Sequence, residues 1–398
     1  MLTTEEPIHD EASRQKALDE LHIVDTPPEE RFDRITRLAQ QLFGVETAAI
    51  SLIDHERQWF KSKIGTELVQ GARSDAFCDI TIRKPDIFDV PDAKQDPRFA
   101  DNPLVTGDPN IRFYAGYPLT TPTGERIGAL CVFDPHPRSF SSSEKELLKD
   151  LALWVQKEMM IEAELGRAAE VQQGLLPKQR AMLHGYEVAG GCASARAVGG
   201  DFYDWYDVQE GEAFTLVDVM GKGMAAAIIA ATVRAVLRAG SKGNDLVRAV
   251  EVAAITLDSD LNNLGSFATL FHARLNTDTG LLRYVDAGHG LSFVIDHDGA
   301  ARRLTSEYPP LGVGIYTDWE EQSFTMEPGD TLVAISDGVL DLFGGTIEGL
   351  RAAENMVRNA SSAQAVVDEL MKLAGKNAAD DVTILVIHRM MKDATYTI

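Results

Sequence analysis

Four aspartates, each at the edge of a short apolar run, constrain this chain most: Gly199-Gly200-Asp201, Val217-Asp218-Val219, Ser336-Asp337-Gly338 and Asp380-Asp381-Val382-Thr383. Short apolar runs bounded by glycine and aspartate read as strands, and strand ends are where sheet proteins expose functional side chains. Carboxylates gathered there repel one another and take up protons. A hard divalent cation such as Mg²⁺ or Mn²⁺ relieves that cost by taking several oxygen ligands. Any single one of them is better explained as a turn or cap aspartate, since 61 acidic residues are present. The four in this order point to a two-metal hydrolytic site.

At 398 residues the chain exceeds the size at which one core usually stops growing, so two domains are expected. A formal charge of −23 disfavours nucleic acid and anionic membrane, which need a basic surface, and favours a protein or small-molecule partner. Cys78, Cys131 and Cys192 are widely spaced in apolar settings, as buried thiols of a reducing compartment are. None begins a Cys-x5-Arg phosphate loop, so they read as bystanders to phosphate chemistry. The first residues carry neither a basic stretch nor an apolar core, and no run of about 18 apolar residues occurs, so a cytoplasmic location is expected.

From Glu29 to Phe43 the residues Phe32, Ile35, Leu38, Ala39 and Leu42 fall at helical spacing, and Gly44 follows as a stop. Ala48–Ile53 and Gln58–Ile64 read as a hairpin, and Ile87–Val90, Phe113–Leu119 and Ile127–Phe133 as further strands. An antiparallel sheet flanked by helices, an α+β domain, is the expectation. Ala76-Phe77-Cys78, Pro91-Asp92-Ala93, Asp96-Pro97-Arg98-Phe99, Ile111-Arg112-Phe113-Tyr114-Ala115-Gly116 and Gly128-Ala129-Leu130-Cys131-Val132-Phe133-Asp134 resemble the GAF domain, a small-ligand sensing module, over roughly residues 25–160. The resemblance implies either a bound small effector, with Phe77, Asp92, Arg98 and Tyr114 as its expected lining, or a purely structural or dimerising domain. Asp79 follows Cys78 where bilin-binding relatives often carry histidine, which speaks against a chromophore.

Ser141 with Glu144, or Ser143 with Glu146, offers a capping box for a long helix ending before Pro177. Leu147, Trp154, Ile161, Ala168 and Leu175 recur every seven residues, joined by Leu151 and Leu165 four positions later in two of the heptads, a seam expected to pair with a second copy of itself in a parallel dimer. Glu158 and Gln172 interrupt the companion positions and weaken that coiled coil. The alternative packs the helix's first half on the sensor sheet and its second half on the next domain.

Beyond Tyr186 many short strands, with helices at Met224–Arg238, Asp245–Leu264 and near Ser362–Leu373, suit two sheets sandwiched between helices. Val171-Gln172-Gln173-Gly174-Leu175-Leu176-Pro177, Gly199-Gly200-Asp201-Phe202-Tyr203-Asp204, Asp218-Val219-Met220-Gly221-Lys222-Gly223, Tyr284-Val285-Asp286-Ala287-Gly288-His289, Gly329-Asp330-Thr331-Leu332 with Ser336-Asp337-Gly338, and Asp380-Asp381-Val382-Thr383 run in family order. Together they resemble the SpoIIE-type, RsbU-like branch of the PPM/PP2C phosphatases. The implied layout is a GAF sensor over 1–145, a helical coiled-coil linker over 146–180, a PP2C-like α/β/β/α sandwich over 181–390 and a tail over 391–398.

The resemblance implies a metal-dependent serine/threonine protein phosphatase in which Asp218 bridges two Mn²⁺ or Mg²⁺ ions beside the Val219 carbonyl. Asp337 and Asp380 complete one metal, Asp201 the other, with Asp381 the alternate of its pair. A metal-bound hydroxide attacks phosphorus directly. The implied substrates are phosphorylated STAS-domain anti-anti-sigma proteins. Met220 stands where eukaryotic relatives carry a proton-donating histidine. Lys222, Arg196 and His289 are weaker candidates for the substrate phosphate, against surface roles for the first two and a fold-supporting role for His289. Gly221-Lys222 is not a nucleotide loop, because Leu216 and Gly223 occupy positions that motif reserves for glycine and for serine or threonine. The rival is a catalytically inactive, ligand-sensing module that sequesters a phosphoprotein.

Overall fold

The computed structural model of this chain describes residues 10–177, 183–209, 211–304, 308–314, 318–345 and 347–391. The end of the expected linker, 178–180, and the expected tail from 392 onward lie outside the described residues. The chain divides into two units, Met1–Arg167 and Ala168–Ile398.

In the first unit α1 (Glu11–Asp19) and α2 (Glu30–Phe43) precede β1 (Thr47–Asp54), β2 (Arg57–Ile64) and β3 (Gln70–Ala72). There follow α3 (Phe77–Thr81), β4 (Phe88–Val90), α4 (Pro103–Thr106), β5 (Phe113–Thr120), β6 (Arg126–Asp134) and α5 (Ser142–Leu175). The strands form one antiparallel sheet in the order β3-β2-β1-β6-β5-β4. Alternation along β1 and β6 divides the core. Ile50, Leu52, Leu130 and Val132 face α2 and the start of α5, whereas Ala49, Ile53, Ala129, Cys131 and Phe133 face α3 and the long loops. Gly44 ends α2 at φ 58°, a left-handed cap that glycine adopts without steric cost.

Of the two capping boxes, Ser141 with Glu144 forms. The Ser141 amide donates to the Glu144 carboxylate at 2.8 Å, and the Glu144 amide donates back to Ser141 Oγ at 3.3 Å. Helix α5 buries Leu148, Leu151, Ala152, Val155 and Met159 in the core of the first unit, so Leu151, expected on the seam, is taken up by that core. Leu147 packs partly on that core, while Trp154 and Ile161 stay exposed. The first half of α5 thus packs on the sheet as the alternative expects, with Leu147 and Leu151 of the seam drawn into that contact.

The second unit comprises β7 (Tyr186–Ala193), β8 (Phe202–Val208), β9 (Gly211–Val219), α6 (Met224–Ser241), α7 (Leu246–Leu264), β10 (Ala268–Leu275), β11 (Leu281–Ala287), β12 (Ser292–Ile295) and β13 (Ala301–Leu304). It ends with β14 (Gln322–Thr325), β15 (Thr331–Ile335), α8 (Asp337–Asp341), α9 (Ile347–Asn359), α10 (Ala363–Asn377) and β16 (Val382–Arg389). Two five-stranded sheets, β14-β11-β10-β9-β8 and β13-β12-β15-β16-β7, bury Phe214, Leu216 and Phe271 of one against Leu332, Leu385 and Ile387 of the other. Helices α6 and α7 cover the outer face of the first sheet, and α9 and α10 that of the second. This is an α/β/β/α sandwich. By length and composition α6 is apolar enough to cross a membrane, but Ala226, Ala230, Val233 and Leu237 are buried in the core beneath it.

Candidate active site

The four aspartates meet because each sheet brings a pair of them to one rim. Phe202 of β8 pairs with Val217 of β9, so Asp201 and Asp218 lie at the same end of the first sheet. Ile335 of β15 pairs with Ile384 of β16, which sets Asp337 and Asp380 at the end of the second. Close approach at this rim requires missing side chains. A Cβ on Gly200 would sit 2.7 Å from the Val219 carbonyl oxygen, and one on Gly338 would collide with the Asp381 backbone.

Proximity shows in the electrostatics. Burial, then the charge of Asp218, drives the Asp201 carboxyl well above the usual range, with the Ser336 and Thr383 hydroxyls partly offsetting it. Burial, then Asp337, pushes Asp218 up to about 6. Burial, then Asp380, raises Asp337. Asp201 Oδ2 is buried without a hydrogen-bond partner among the described residues. Among the described residues, the three-ligand group with ligating atoms all within 4.8 Å is Asp19, Asp54 and His55 in the first unit.

The two adjacent aspartates of the last motif do different work. Asp381 is buried and spends its oxygens on backbone amides, Ala195 at 2.8 Å and Gly200 at 2.6 Å, tying the Gly-Gly-Asp turn to the start of β16. Asp380 is partly exposed and its Oδ2 meets Lys222 Nζ at 2.8 Å. Lys222 also donates to the Ala379 carbonyl at 2.9 Å, so this ammonium stands against the acidic cluster rather than apart from it. Arg196 is exposed, with its guanidinium beside Gly223 and no carboxylate partner among the described residues. His289 differs from the expectation that it meets phosphate. It is buried, its amide donates to Asp286 at 2.7 Å, and burial lowers its imidazole to about 4, so it offers no positive charge at neutral pH. Met220 is exposed. An all-oxygen acidic donor set, with one buried oxygen unpartnered and an ammonium beside another carboxylate, fits a hard divalent cation.

Asp204 was not singled out by the sequence reading. It is buried on β8 and accepts from Arg238 Nε at 2.6 Å and pairs with Arg234 Nε at 3.1 Å, both on α6. This clamp holds the helix that follows the Asp218 loop against its sheet. Three charged residues spaced along Gly-Gly-Asp-Phe-Tyr-Asp and α6 were the available signal.

In the sensor unit a cavity of about 180 Å³ lies beneath β2 and β5, walled by Gln58, Phe77, Cys78, Tyr114, Cys131 and Phe133 among others. Phe77 and Tyr114 of the expected lining are there. Asp92 and Arg98 are not among its walls: Asp92 is held by a two-pronged bond to Arg112, and Arg98 by Asp96 and the rings of Phe88 and Phe99.

Residues 209–390 match the family described as stage II sporulation protein E (SpoIIE), and residues 27–159 match the GAF domain. The chain thus joins a region that matches the GAF domain to one that matches the SpoIIE family. The phosphoserine phosphatase RsbU of Bacillus subtilis is 26% identical over 254 residues, 59% of this chain and 72% of RsbU. The cyclic di-GMP phosphodiesterase PA2567 of Pseudomonas aeruginosa is 46% identical over 129 residues, 32% of this chain, and the chain spans only 22% of PA2567. The solved SiaA-PP2C domain of Pseudomonas aeruginosa superposes with a TM-score of 0.50 at 20% identity, covering 58% of this chain and 98% of that domain, which shows the PP2C fold. In the SpoIIE-type domain the carboxylate rim lies where β8, β9, β15 and β16 end together.

Proposed function

We propose that the chain is a serine/threonine protein phosphatase, dependent on two divalent cations, Mn²⁺ or Mg²⁺, and controlled through its GAF domain. The observation that carries this reading is the convergence of carboxylates from both sheets on one rim, with Asp201 Oδ2 buried and unpartnered. The phosphoserine phosphatase RsbU, similar over 59% of the chain, supports the substrate class. The family resemblance points further, to a phosphorylated STAS-domain protein. Free cysteines among the described residues suit a cytosolic setting.

Asp218, with the Val219 carbonyl beside it, would serve both cations, Asp337 and Asp380 completing the site of one and Asp201 that of the other, while Asp381 shapes the site through its backbone bonds. When bound, the cations supply a more acidic water and neutralise charge on the phosphoryl oxygens. The exposed Arg196 guanidinium binds and orients those oxygens from the Gly223 side. Lys222, displaced from Asp380, provides a second positive charge at the mouth. Water oxygen bonds to phosphorus as the bond to the seryl oxygen breaks. The seryl oxygen takes its proton from solvent, because Met220 has none to give and His289 is buried and neutral. The proposal includes a dimer through the exposed seam of α5 and a population shift in α6 that presents or withdraws Asp218.

The test is Mn²⁺-dependent phosphate release from a phosphoserine protein. Asp218→Asn should lower the rate by about a hundredfold or more and weaken Mn²⁺ binding in calorimetry. Equal rates in native and variant chains would leave only the non-catalytic binding module.

A further inference from the structure

The GAF cavity carries chemistry that the phosphatase reading does not use. Cys78 on α3 and Cys131 on β6 are distant in sequence, yet their sulphurs lie 3.5 Å apart and both are free thiols. Both form part of the cavity wall, whose rim residues Leu68, Gly71 and Ala72 are exposed to solvent. Polar groups converge on one of the two sulphurs. Gln58 Nε2 donates to Cys78 Sγ at 3.2 Å and Tyr114 Oη at 3.3 Å, with the tyrosine hydroxyl itself held by Thr81 Oγ1 at 2.6 Å. Cys131 has a different setting: it accepts from Cys78 at 3.5 Å and donates to the Ala49 carbonyl at 3.6 Å.

We infer that Cys78 and Cys131 form a peroxide-oxidisable pair: Cys78 is the thiol attacked by a small hydroperoxide entering the cavity, and Cys131 closes the disulfide. The Cys78 thiolate attacks one peroxide oxygen, the O–O bond breaks, and the departing hydroxide takes a proton to leave as water. Cys78 is then a sulphenic acid. Cys131 sulphur attacks the Cys78 sulphur, its proton combines with the displaced hydroxide, and a second water leaves. Two thiols lose two electrons in all, and one hydrogen peroxide is reduced to two waters.

The asymmetry of the two sulphurs fits these roles. Burial raises the Cys78 thiol, but its hydrogen bonds with Cys131, Ser51 and Tyr114 outweigh it and bring the group below its ordinary range. Cys131 is driven well above that range by the same hydrogen bond and by burial. The third thiol, Cys192, is pushed up to about 12 by burial and the Asp201 charge, and has no thiol neighbour among the described residues. Oxidation would staple α3 to β6, the strand that leads directly into α5.

The experiment uses the full chain, reduced, then exposed to stoichiometric hydrogen peroxide, alkylated and digested for mass spectrometry. A Cys78–Cys131 linked peptide that disappears on reduction is expected, with Cys192 oxidised at least about tenfold more slowly. In Cys131→Ser, dimedone should trap Cys78 as sulphenic acid, whereas in Cys78→Ser the remaining Cys131 should stay unmodified. Absence of the linked peptide from the native chain, or Cys192 oxidised as fast as Cys78, overturns the proposal; the native chain alone decides it if a variant fails to fold.

Discussion

At the scale of single residues, position in a strand register decides what a charge costs. Glu212 stands directly opposite Asp207 in the β8–β9 pair, and burial, then the hydrogen bond and charge of Asp207, raise its carboxyl to about 8 from an ordinary 4.5. A raised carboxyl holds a proton in the fold that the unfolded chain releases. Its contribution to stability is therefore present below pH 4.5 and lost as pH climbs through about 8. Glu212→Gln keeps a donor for Asp207 without the charge. Urea midpoints should coincide for the two chains near pH 4.5 and favour the variant by about 1 kcal/mol or more at pH 9. The adjacent Asp380 and Asp381 show the same dependence on place: identical side chains in sequence, yet one is bonded to two amides and the other faces an ammonium.

At the scale of elements, α6 is held by chemistry rather than by apolar burial alone. Its alanine-rich inner face packs on β9 and α7, while Arg234 and Arg238 reach the buried Asp204 of β8. Removing that carboxylate leaves the mostly buried Arg234 guanidinium and the half-buried Arg238 guanidinium without their shared partner. Asp204→Ala should lower stability by about 3 kcal/mol, read as a lower melting temperature, with Mn²⁺-dependent activity falling at temperatures where the native chain is still folded. An unchanged melting temperature would mean that the clamp contributes nothing. The strands with continuous apolar runs, β9, β10, β15 and β16, were legible from their composition. Strands β7 and β8 were not, because Gly190 and Gly191 interrupt one and Asp204 and Asp207 break the apolar pattern of the other. Helix α9 was missed as well.

At the scale of the whole molecule, α5 has two unlike faces, one buried and one exposed. Leu148, Leu151, Ala152 and Val155 belong to the sensor core, which leaves Trp154 and Ile161 exposed on the seam that the heptad spacing marks out. Those two side chains are what a second copy would cover. Light scattering should give a mass of twice 43.5 kDa for the full chain. The double substitution Trp154→Glu and Ile161→Glu should halve that mass without altering the circular dichroism. A full-length monomer at micromolar concentration would rule the seam out as a dimer contact.

The sequence alone determined the two-domain class, the order of most strands and the identity of the acidic motifs, because apolar periodicity and glycine-flanked aspartates are local signals. It could not determine which oxygens remain free. That Asp381 is committed to backbone amides, that His289 is buried and neutral, that Asp92 and Arg98 pair away from the cavity, and that Cys78 meets Cys131 all follow from long-range contacts. Only tertiary packing settles these, since the hydrogen bonds, burial and neighbouring charges that tune a side chain come from segments far away in the chain.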